Sequence, residues 1–385
     1  MKTVTRFLFF PAVALFLGLS VSAITGCGGG QSSRVQTSMP TSSGTATPSP
    51  SSPTPSSPTG STSSTSTYDP YVQGVAVNPV THNAYFAINT YAGTSGIYTG
   101  EVLVLDGTTN IVTARIPVGN YADAIVVNPS TNTIYVGNYN DKTVSIINGA
   151  TNAVIATLAI PINPYAMAIN ATTNFIYVLN GFSSTMDVIN GATNTLSESV
   201  DLGVYPQSAA VDETTNTIYL AGMNNATTGD LFETPALYAV NGATFSVSSA
   251  VPTGASGNQD FAVVVNEVTD KVYALPSRTG ETFVMDGASN AVTGLITTGV
   301  QPTSLAVDPA TNLVYIADYS NGTVLVLDGG SNTVTTSIQT PSAHLGFVAV
   351  DPSSNVIYAA NYNSAASVTV INGSSNSIIT TVPLQ

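Results

Sequence analysis

The sequence has no tryptophan, one cysteine and two histidines among its 385 residues. A single cysteine cannot form a disulfide within the chain. Lys and Arg together number seven against 21 Asp and Glu, so the formal net charge is −14. A chain of this charge repels phosphate backbones, and we therefore expect no nucleic-acid partner.

Long hydrophobic runs are also missing. The most apolar stretch, residues 7–19, follows Lys2 and Arg6 and contains Pro11. It is too short for a confident membrane span and is typical of a signal peptide.

The end of this segment, Ile24-Thr25-Gly26-Cys27, resembles the lipobox of bacterial lipoproteins. The resemblance implies a lipoprotein signal peptide over residues 1–26 and lipid attachment at Cys27. It also implies an exported protein anchored by lipid to a membrane of the cell envelope, on the periplasmic side or at the cell surface. Gly28 after the cysteine favours the outer membrane if the organism has two membranes. The alternative is an ordinary signal peptide with an incidental cysteine.

Residues 27–67 are rich in Ser, Thr, Pro and Gly and have almost no apolar side chains. Such a segment cannot bury enough surface to offset the entropy of ordering its backbone. We expect a disordered linker between the anchor and the remaining residues, 68–385.

Residues 68–385 contain seven copies of one unit. In each copy an Asn or Asp is followed seven residues later by a tyrosine. These tyrosines are Tyr85, Tyr135, Tyr177, Tyr219, Tyr273, Tyr315 and Tyr358. An Asx-Gly pair follows each tyrosine, and in six copies an Asn stands three residues after the Gly, with Phe245 as the exception. Landmarks at fixed offsets indicate a repeat architecture.

Each unit contains four short β-rich runs bounded by turn residues. In the second unit they are residues 124–128, 133–137, 143–147 and 153–160. Four antiparallel strands in about 42 residues cannot bury both faces alone, whereas radial packing of such sheets solves this. The sequence predicts an all-β, seven-bladed β-propeller of four-stranded blades, monomeric, with blade 1 packing face to face on blade 7. A strand from residues 66–70 could add a latch.

Four units carry a common tetrapeptide pattern: Tyr135-Val136-Gly137-Asn138, Tyr177-Val178-Leu179-Asn180, Tyr315-Ile316-Ala317-Asp318 and Tyr358-Ala359-Ala360-Asn361. These resemble the signature of the YVTN-type β-propeller repeat family, which includes archaeal surface-layer and bacterial exported proteins. The resemblance covers residues 70–385 and implies the fold, but hardly any function.

Extra length is confined to one end of the predicted propeller. Insertions at residues 89–101 and 223–235 fall between the second and third strands of blades 1 and 4. In propellers these loops and the blade-to-blade junctions open on the same face, the top. Loops that grow on one face of a rigid scaffold commonly bind ligands, although neutral drift is the alternative.

Tyrosines favour the same face. Nine lie near predicted top loops: Tyr71, Tyr91, Tyr98, Tyr121, Tyr139, Tyr165, Tyr205, Tyr319 and Tyr362. Rigid aromatic rings beside amides suit glycans and peptides. The predicted ligand-binding residues are Tyr91, Tyr98, Asp123, Tyr139, Asp141, Tyr165, Tyr205, Arg278, Tyr319, Asn321, His344 and Tyr362.

The mouth of the central channel is predicted from the residue five before each first-strand Asx. These residues are Gln73, Asp123, Tyr165, Gln207, Phe261, Thr303 and Gly346. One acid in the ring does not make a metal cage. His82 and His344 fall on opposite faces and cannot share a zinc ion, and His82 takes a turn position that is Asn or Asp in the other units. We therefore expect no catalytic residue, cofactor or metal.

Three hypotheses for function follow. The first is a non-enzymatic binding or scaffold module for a glycan, peptide or protein, acting through the top-face loops. The second is a structural surface-layer or adhesive component. The third is a propeller enzyme (a lyase, lactonase or quinoprotein-like oxidoreductase) with an unrecognised site.

Overall fold

The computed structural model describes residues 70–92, 97–180, 182–224, 235–253, 261–276, 279–299, 301–362 and 366–385. These residues form 28 β-strands. In chain order they are β1 Tyr71–Asn78, β2 Asn83–Ala92, β3 Ile97–Asp106, β4 Ile111–Pro117, β5 Ala122–Asn128, β6 Thr133–Asn138, β7 Thr143–Asn148, β8 Ala153–Ala159, β9 Ala166–Asn170, β10 Phe175–Leu179, β11 Thr185–Asn190, β12 Thr195–Asp201, β13 Val204–Asp212, β14 Thr217–Asn224, β15 Pro235–Asn241, β16 Val251–Pro252, β17 Phe261–Asn266, β18 Lys271–Pro276, β19 Glu281–Asp286, β20 Ala291–Thr297, β21 Pro302–Asp308, β22 Leu313–Asp318, β23 Thr323–Asp328, β24 Thr333–Gln339, β25 Leu345–Asp351, β26 Val356–Asn361, β27 Ser367–Asn372 and β28 Ser377–Pro383.

The strands form seven four-stranded antiparallel sheets, each made of four consecutive strands in chain order. The first strand of each sheet contacts the first strand of the next, and β25 contacts β1 to complete the circle. The prediction of a seven-bladed propeller is confirmed. In the part of the chain that the structure describes, no helix is long and apolar enough to cross a membrane.

Apolar side chains are buried between blades rather than within one central core. There are seven hydrophobic clusters, and each joins two neighbouring blades. Each contains one of the seven repeat tyrosines, which are the largest fully buried side chains among the described residues. These tyrosines therefore pack between the blades.

Contacts between the two lower turns of a blade explain the Asx-Gly landmark. A Cβ on Gly191 would clash with Asn174 Oδ1 of the same blade and lie 2.8 Å from the Tyr135 hydroxyl of the preceding blade, and a Cβ on Gly287 would clash with Asp270 Oδ1. Such contacts are too short for carbon, so glycine is required where the two turns meet.

Every blade has a positive-φ residue in its first-to-second-strand turn and another in its third-to-fourth-strand turn. The first set is His82, Asn132, Asn174, Asn216, Asp270, Asn312 and Asn355, and the second is Asn110, Asn152, Asn194, Phe245, Asn290, Asn332 and Asn376. Asn and Asp tolerate this left-handed conformation better than other side chains with a Cβ, which explains their recurrence. His82 therefore holds a structural turn position, as predicted, and its Nδ1 lies 2.8 Å from Asp351 Oδ2 of blade 7.

Blade 4 departs from the repeat at its outer edge. Its outermost strand β16 has two residues, whereas the outermost strands of the other blades have seven. Phe245 replaces the usual Asn in the preceding turn. Between this turn and β16, an isolated bridge joins Val240 to Val247. The outer strand is shortened where the turn residue of the repeat is lost.

Blades 1 and 7 close the ring by packing face to face, as predicted. Their shared cluster includes Phe86 and Leu103 of blade 1 with Val368 and Leu384 of blade 7. The proposed latch strand at residues 66–70 lies outside the described residues except for Pro70.

Candidate functional site

The insertion in blade 1 is a lengthened hairpin rather than the loop that we expected. Strands β2 and β3 have ten residues each, and their pairing continues from Asn89↔Gly100 to Ala92↔Ile97. The inserted residues include Thr, Tyr and Ile, which favour extended strands, and Tyr91 pairs directly opposite Tyr98. The insertion therefore presents two aromatic rings on a β-scaffold.

This hairpin shares a face with the blade-to-blade junctions. Val118 N, in the junction after β4, donates to Gly100 O at 3.0 Å, and Tyr139 N, after β6, donates to Tyr121 O at 2.8 Å. Second-to-third-strand loops and junctions therefore meet at one end of the molecule. We call this end the top face.

Six tyrosines form a connected set on the top face of blades 7, 1 and 2. We call them the tyrosine cluster: Tyr71, Tyr91, Tyr98, Tyr121, Tyr139 and Tyr362. The ring centroids are 4.7 Å apart for Tyr91–Tyr98, 5.0 Å for Tyr98–Tyr121, 5.8 Å for Tyr121–Tyr139, 6.4 Å for Tyr71–Tyr98 and 5.7 Å for Tyr71–Tyr362. The geometries are tilted or edge-to-face, which aromatic pairs prefer.

Tyr121 lies at the centre of the tyrosine cluster in an unusual backbone conformation. Its φ is +58°, an uncommon conformation for a bulky side chain, and its ring is buried. Beside it, Asn89 receives a hydrogen bond from Ala122 N and donates one to Ala122 O, both at 2.8 Å. This amide fastens the hairpin of blade 1 to the first strand of blade 2.

Two buried polar residues lie among the tyrosines. Asp123 and Gln73 are 5% and 4% exposed, and Gln73 Nε2 donates to Asp123 Oδ1 at 3.1 Å and to the Tyr121 hydroxyl at 3.4 Å. Each stands at a β-bulge of its innermost strand, because the pairing register shifts between Val72 and Gly74 and between Ala122 and Ala124. A bulge re-aims the side chain of the extra residue.

The same shift occurs at three more of the predicted channel-mouth residues, Gln207, Thr303 and Gly346. Five of the seven positions are therefore bulge residues of innermost strands. Tyr165 and Phe261 are not: the first precedes β9 and the second begins β17. The offset from the repeat Asx selects equivalent positions in these five blades, but the bulges themselves left no sequence signal.

Burial dominates the electrostatics of the site. It raises the pKa of the Asp123 carboxyl to about 8, against the opposing effect of the hydrogen bond from Gln73. Burial also raises the pKa values of Tyr71, Tyr121, Tyr139 and Tyr362, and the charge of Asp123 contributes to each of these increases. The phenols stay neutral at physiological pH, and the carboxyl is held partly protonated.

Tyr319 and His344 extend the aromatic surface from blade 6 into blade 7. Their rings stack with centroids 4.6 Å apart and planes 25° apart. His344 O accepts a hydrogen bond from Tyr362 N at 3.0 Å, which joins this stack to the tyrosine cluster. His344 Nδ1 is buried and has no hydrogen-bond partner among the described residues.

Four other predicted residues lie away from this set or have local roles. Asp141 accepts hydrogen bonds from the backbone and side chain of Asn120 at 2.7 and 2.8 Å. Asn321 donates to Asp318 Oδ2 at 2.7 Å and borders a cavity of about 450 Å³ between blades 5 and 6. Tyr165 contacts Phe182 in blade 3, and Tyr205 pairs with Met223 at the start of blade 4. Arg278 and Cys27 lie outside the described residues.

Sequence reasoning missed the contact between Gln73 and Asp123, the amide clamp at Asn89 and the aromatic partner Phe182. Gln73 and Asp123 are 50 positions apart, and only the curvature of the ring brings them together. Within the described ranges, no group of three or more His, Cys, Asp or Glu residues is placed to hold a metal ion.

No protein-family model matches the chain, and no curated protein matches its sequence. Among solved structures, hydrazine synthase of Kuenenia stuttgartiensis is similar to this chain with a TM-score of 0.64 and 17% sequence identity. The similarity covers 79% of this chain and 96% of that one. At this identity the likeness supports the fold alone.

Proposed function

We propose that the chain is a cell-envelope-anchored propeller that acts as a non-enzymatic binding or scaffold module through its top face, for a glycan, peptide or protein. The observation that carries the proposal is the tyrosine cluster, which gathers six aromatic rings from three blades onto one surface. Each of these rings contacts at least one other ring of the cluster, so the aromatic surface is present before any ligand binds.

The chemistry of the cluster supports binding of this kind. Tyrosine offers a large contact area at a low cost in side-chain entropy, and its hydroxyl can hydrogen bond at the rim. Tyr71, Tyr91, Tyr98, Tyr139 and Tyr362 are each partly exposed, so the surface is open to a partner. A rigid propeller carrying exposed aromatics on one face is a suitable scaffold for recognition.

The envelope location rests on the sequence of the first 67 residues. Lipid attachment at Cys27 would tether the propeller to a membrane through the Ser/Thr/Pro-rich segment. Mass spectrometry of the purified N-terminal peptide tests this directly. A diacylated Cys27 is expected, and a chain cleaved elsewhere without lipid would contradict the anchor.

An affinity capture from envelope extracts of the source organism tests the binding function. The bait is the exported chain with Cys27→Ser, compared with the same chain carrying Tyr91→Ser and Tyr98→Ser. A matched control carries Ile155→Ser and Ile379→Ser, two exposed apolar side chains on outermost strands. A partner retained by the parent and the control but lost by the tyrosine variant is expected. Identical captures by all three chains would contradict the proposal.

One observation favours a structural surface-layer or adhesive role as the second candidate. Large aliphatic side chains are exposed on the outermost strands of several blades, including Ile111, Ile155, Leu295 and Ile379. Exposed edges of this kind can support assembly between copies. Sedimentation of the unlipidated chain would show concentration-dependent assembly if this role holds, and a monomer at all concentrations would argue against it.

A further inference from the structure

The interior of the tyrosine cluster holds two hydrogen-bond acceptors that nothing in the described structure satisfies. Asp123 Oδ2 and Gln73 Oε1 are buried and accept no hydrogen bond from any described residue. They belong to side chains joined by the bond from Gln73 Nε2 to Asp123 Oδ1. Buried acceptors without donors are costly, so a ligand that donates hydrogen bonds to these two oxygens would be stabilised here.

No basic side chain in the described ranges acts on Asp123. The pKa of its carboxyl is set by burial and by the hydrogen bond from Gln73. Arg115 is engaged with Glu101 at 2.8 Å, and Lys271 donates to Gly329 O on the opposite face. The carboxyl therefore has no cation of its own.

Tyrosine side chains lie next to these acceptors. Gln73 Nε2 lies 3.4 Å from the Tyr121 hydroxyl, and the charge of Asp123 raises the pKa values of Tyr71, Tyr121, Tyr139 and Tyr362. Tyr98 contacts both Tyr71 and Tyr121. The faces of aromatic rings attract cations, most strongly where water is excluded. The net charge of −14 adds a general attraction for cations at longer range.

We propose that Asp123, Gln73 and the rings of the tyrosine cluster form a site for an organic ammonium group, a primary or methylated amine. The carboxylate supplies the counter-charge, Gln73 Oε1 accepts an N–H hydrogen bond, and the rings enclose the cation. The rings of Tyr71, Tyr98 and Tyr362, which are half-buried on the solvent side, turn outward to admit the ligand, since side-chain rotation on binding is common. This inference names the ligand class of the proposed binding function and rests on it.

Calorimetry with defined amines tests the site. The protein is the exported chain with Cys27→Ser, and the probes are n-butylammonium, Nα-acetyl-lysine amide and the neutral isostere n-butanol. Both amines are expected to bind and butanol to show no heat. Tighter binding of the lysine amide would point to a lysine-bearing peptide as the source of the ammonium group, and tighter binding of butylammonium to a free amine. Either order supports the ammonium site.

Asp123→Asn is the decisive variant, because it keeps the shape of the side chain and removes its charge. It is expected to weaken binding of both amines by roughly tenfold or more, as loss of a charge-assisted hydrogen bond does. Asp201→Asn, which removes an exposed carboxylate of blade 3, is the matched control and leaves the affinity unchanged. Heat from butanol equal to that from the amines, no heat from either amine, or equal affinity of parent and Asp123→Asn would each overturn the inference.

Failure of this inference is separable from failure of the binding function. If the envelope partner is lost from the Tyr91→Ser/Tyr98→Ser chain but fully retained by Asp123→Asn, the cluster binds its partner without an ammonium contact. The ammonium site is then wrong and the binding function stands. If the tyrosine variant retains the partner, the binding function fails as well.

Discussion

At the scale of single residues, amide contacts join neighbouring blades on the lower face at four of the seven interfaces. The Asn at the end of an innermost strand donates from Nδ2 to Oδ1 of the positive-φ Asn in the next blade. This occurs at Asn78–Asn132, Asn128–Asn174, Asn170–Asn216 and Asn266–Asn312, at 2.7 to 2.9 Å. The residues that define the repeat in the sequence are therefore the ones that fasten each blade to its neighbour.

Between blades 4 and 5 the strand-end residue and the positive-φ turn residue are both acids, Asp212 and Asp270. Burial raises the pKa of Asp270, and the charges of Asp212 and Asp286 add to the increase. A raised folded-state pKa contributes stability below the unfolded pKa, and this is lost as pH rises through the folded value. The pair therefore weakens the structure at neutral pH.

Asp270→Asn is predicted to stabilise the propeller at neutral pH. The new amide can donate to Asp212, and Asn suits the φ of +50° at this position. We expect a gain of about 1 kcal/mol in the free energy of unfolding at pH 7 and a smaller gain at pH 4, measured by urea denaturation. Glu198→Gln, at an exposed carboxylate of β12, serves as the control and should change little. A loss of stability at pH 7 would show that Asp212 and Asp270 do not repel each other in the folded protein.

Asp123 gives a second prediction at this scale. With its pKa raised to about 8, the carboxyl stabilises the fold below pH 4, and this contribution declines as pH rises towards 8. The groups that face it are Gln73, Tyr71, Tyr121, Tyr139 and Tyr362, and the pKa values of these four tyrosines are themselves raised. Among these neighbouring groups, Asp123 is therefore the one that titrates in this range.

Asp123→Asn should raise the melting temperature relative to the parent at pH 8 but hardly at pH 4. The Asn amide does not titrate and can donate to Gln73 Oε1, which has no donor at present. Thermal unfolding of both chains across this pH range measures the difference. A difference that is independent of pH would contradict the raised pKa.

At the scale of elements, the strands of blade 2 show how far the sequence leads. The four predicted runs at residues 124–128, 133–137, 143–147 and 153–160 match β5, β6, β7 and β8 to within two residues at every end. Alternation and turn residues are local signals, and they suffice for strand existence and order.

The same signals do not report the features that build the candidate site. The hairpin of blade 1 continues pairing where a loop was expected, and the bulge at Asp123 shifts a side chain without any marker in the sequence. The contact between Asp123 and Gln73 joins two residues 50 positions apart in the chain. Tyrosines near top loops could be selected from the sequence, but their joining into one cluster could not.

Shortening the blade 1 hairpin separates binding from folding. Replacing residues 90–99 by Asn-Gly keeps Asn89 and Gly100 and closes β2 and β3 with a tight turn. The Asn89 clamp on Ala122 is preserved, so the melting temperature should stay close to that of the parent, while partner capture is lost with Tyr91 and Tyr98. If the shortened chain still captures the partner and its melting temperature is unchanged, the hairpin does not bind the partner.

Asn89→Ala is the converse variant. It removes two hydrogen bonds of 2.8 Å to a buried backbone position and leaves Ala122 N and O without these partners. We expect a loss of roughly 2–4 kcal/mol in unfolding free energy by urea denaturation. An unchanged free energy would mean that the clamp does not fasten blade 1 to blade 2.

At the scale of the whole molecule, stability depends on closing the ring between blades 7 and 1. Leu384 is fully buried in the cluster that joins them, and its backbone carbonyl accepts a hydrogen bond from Arg115 Nη2 at 3.3 Å. The last residues of the chain thus pack on the first blade. Face-to-face contact of the blades forms this closure within the described residues.

Leu384→Ala is predicted to destabilise the propeller by roughly 2–5 kcal/mol, since it leaves a cavity at the closure. Ile379→Ala, in β28 just before Leu384 and 47% exposed, should change stability by less than about 0.5 kcal/mol. Urea denaturation of both variants measures the two effects. Equal effects would mean that the closing interface does not limit stability.

Hydrogen–deuterium exchange of the chain with and without its captured partner tests whether the partner binds at the tyrosine cluster on the top face. The account predicts protection in peptides covering the blade 1 hairpin, the junction at Tyr121 and the segment at Tyr362, all on the top face of blades 7, 1 and 2. Peptides of the lower turns, such as the one at Asn152, should exchange at the same rate in both samples. Protection confined to the lower turns or the outermost strands would contradict the account.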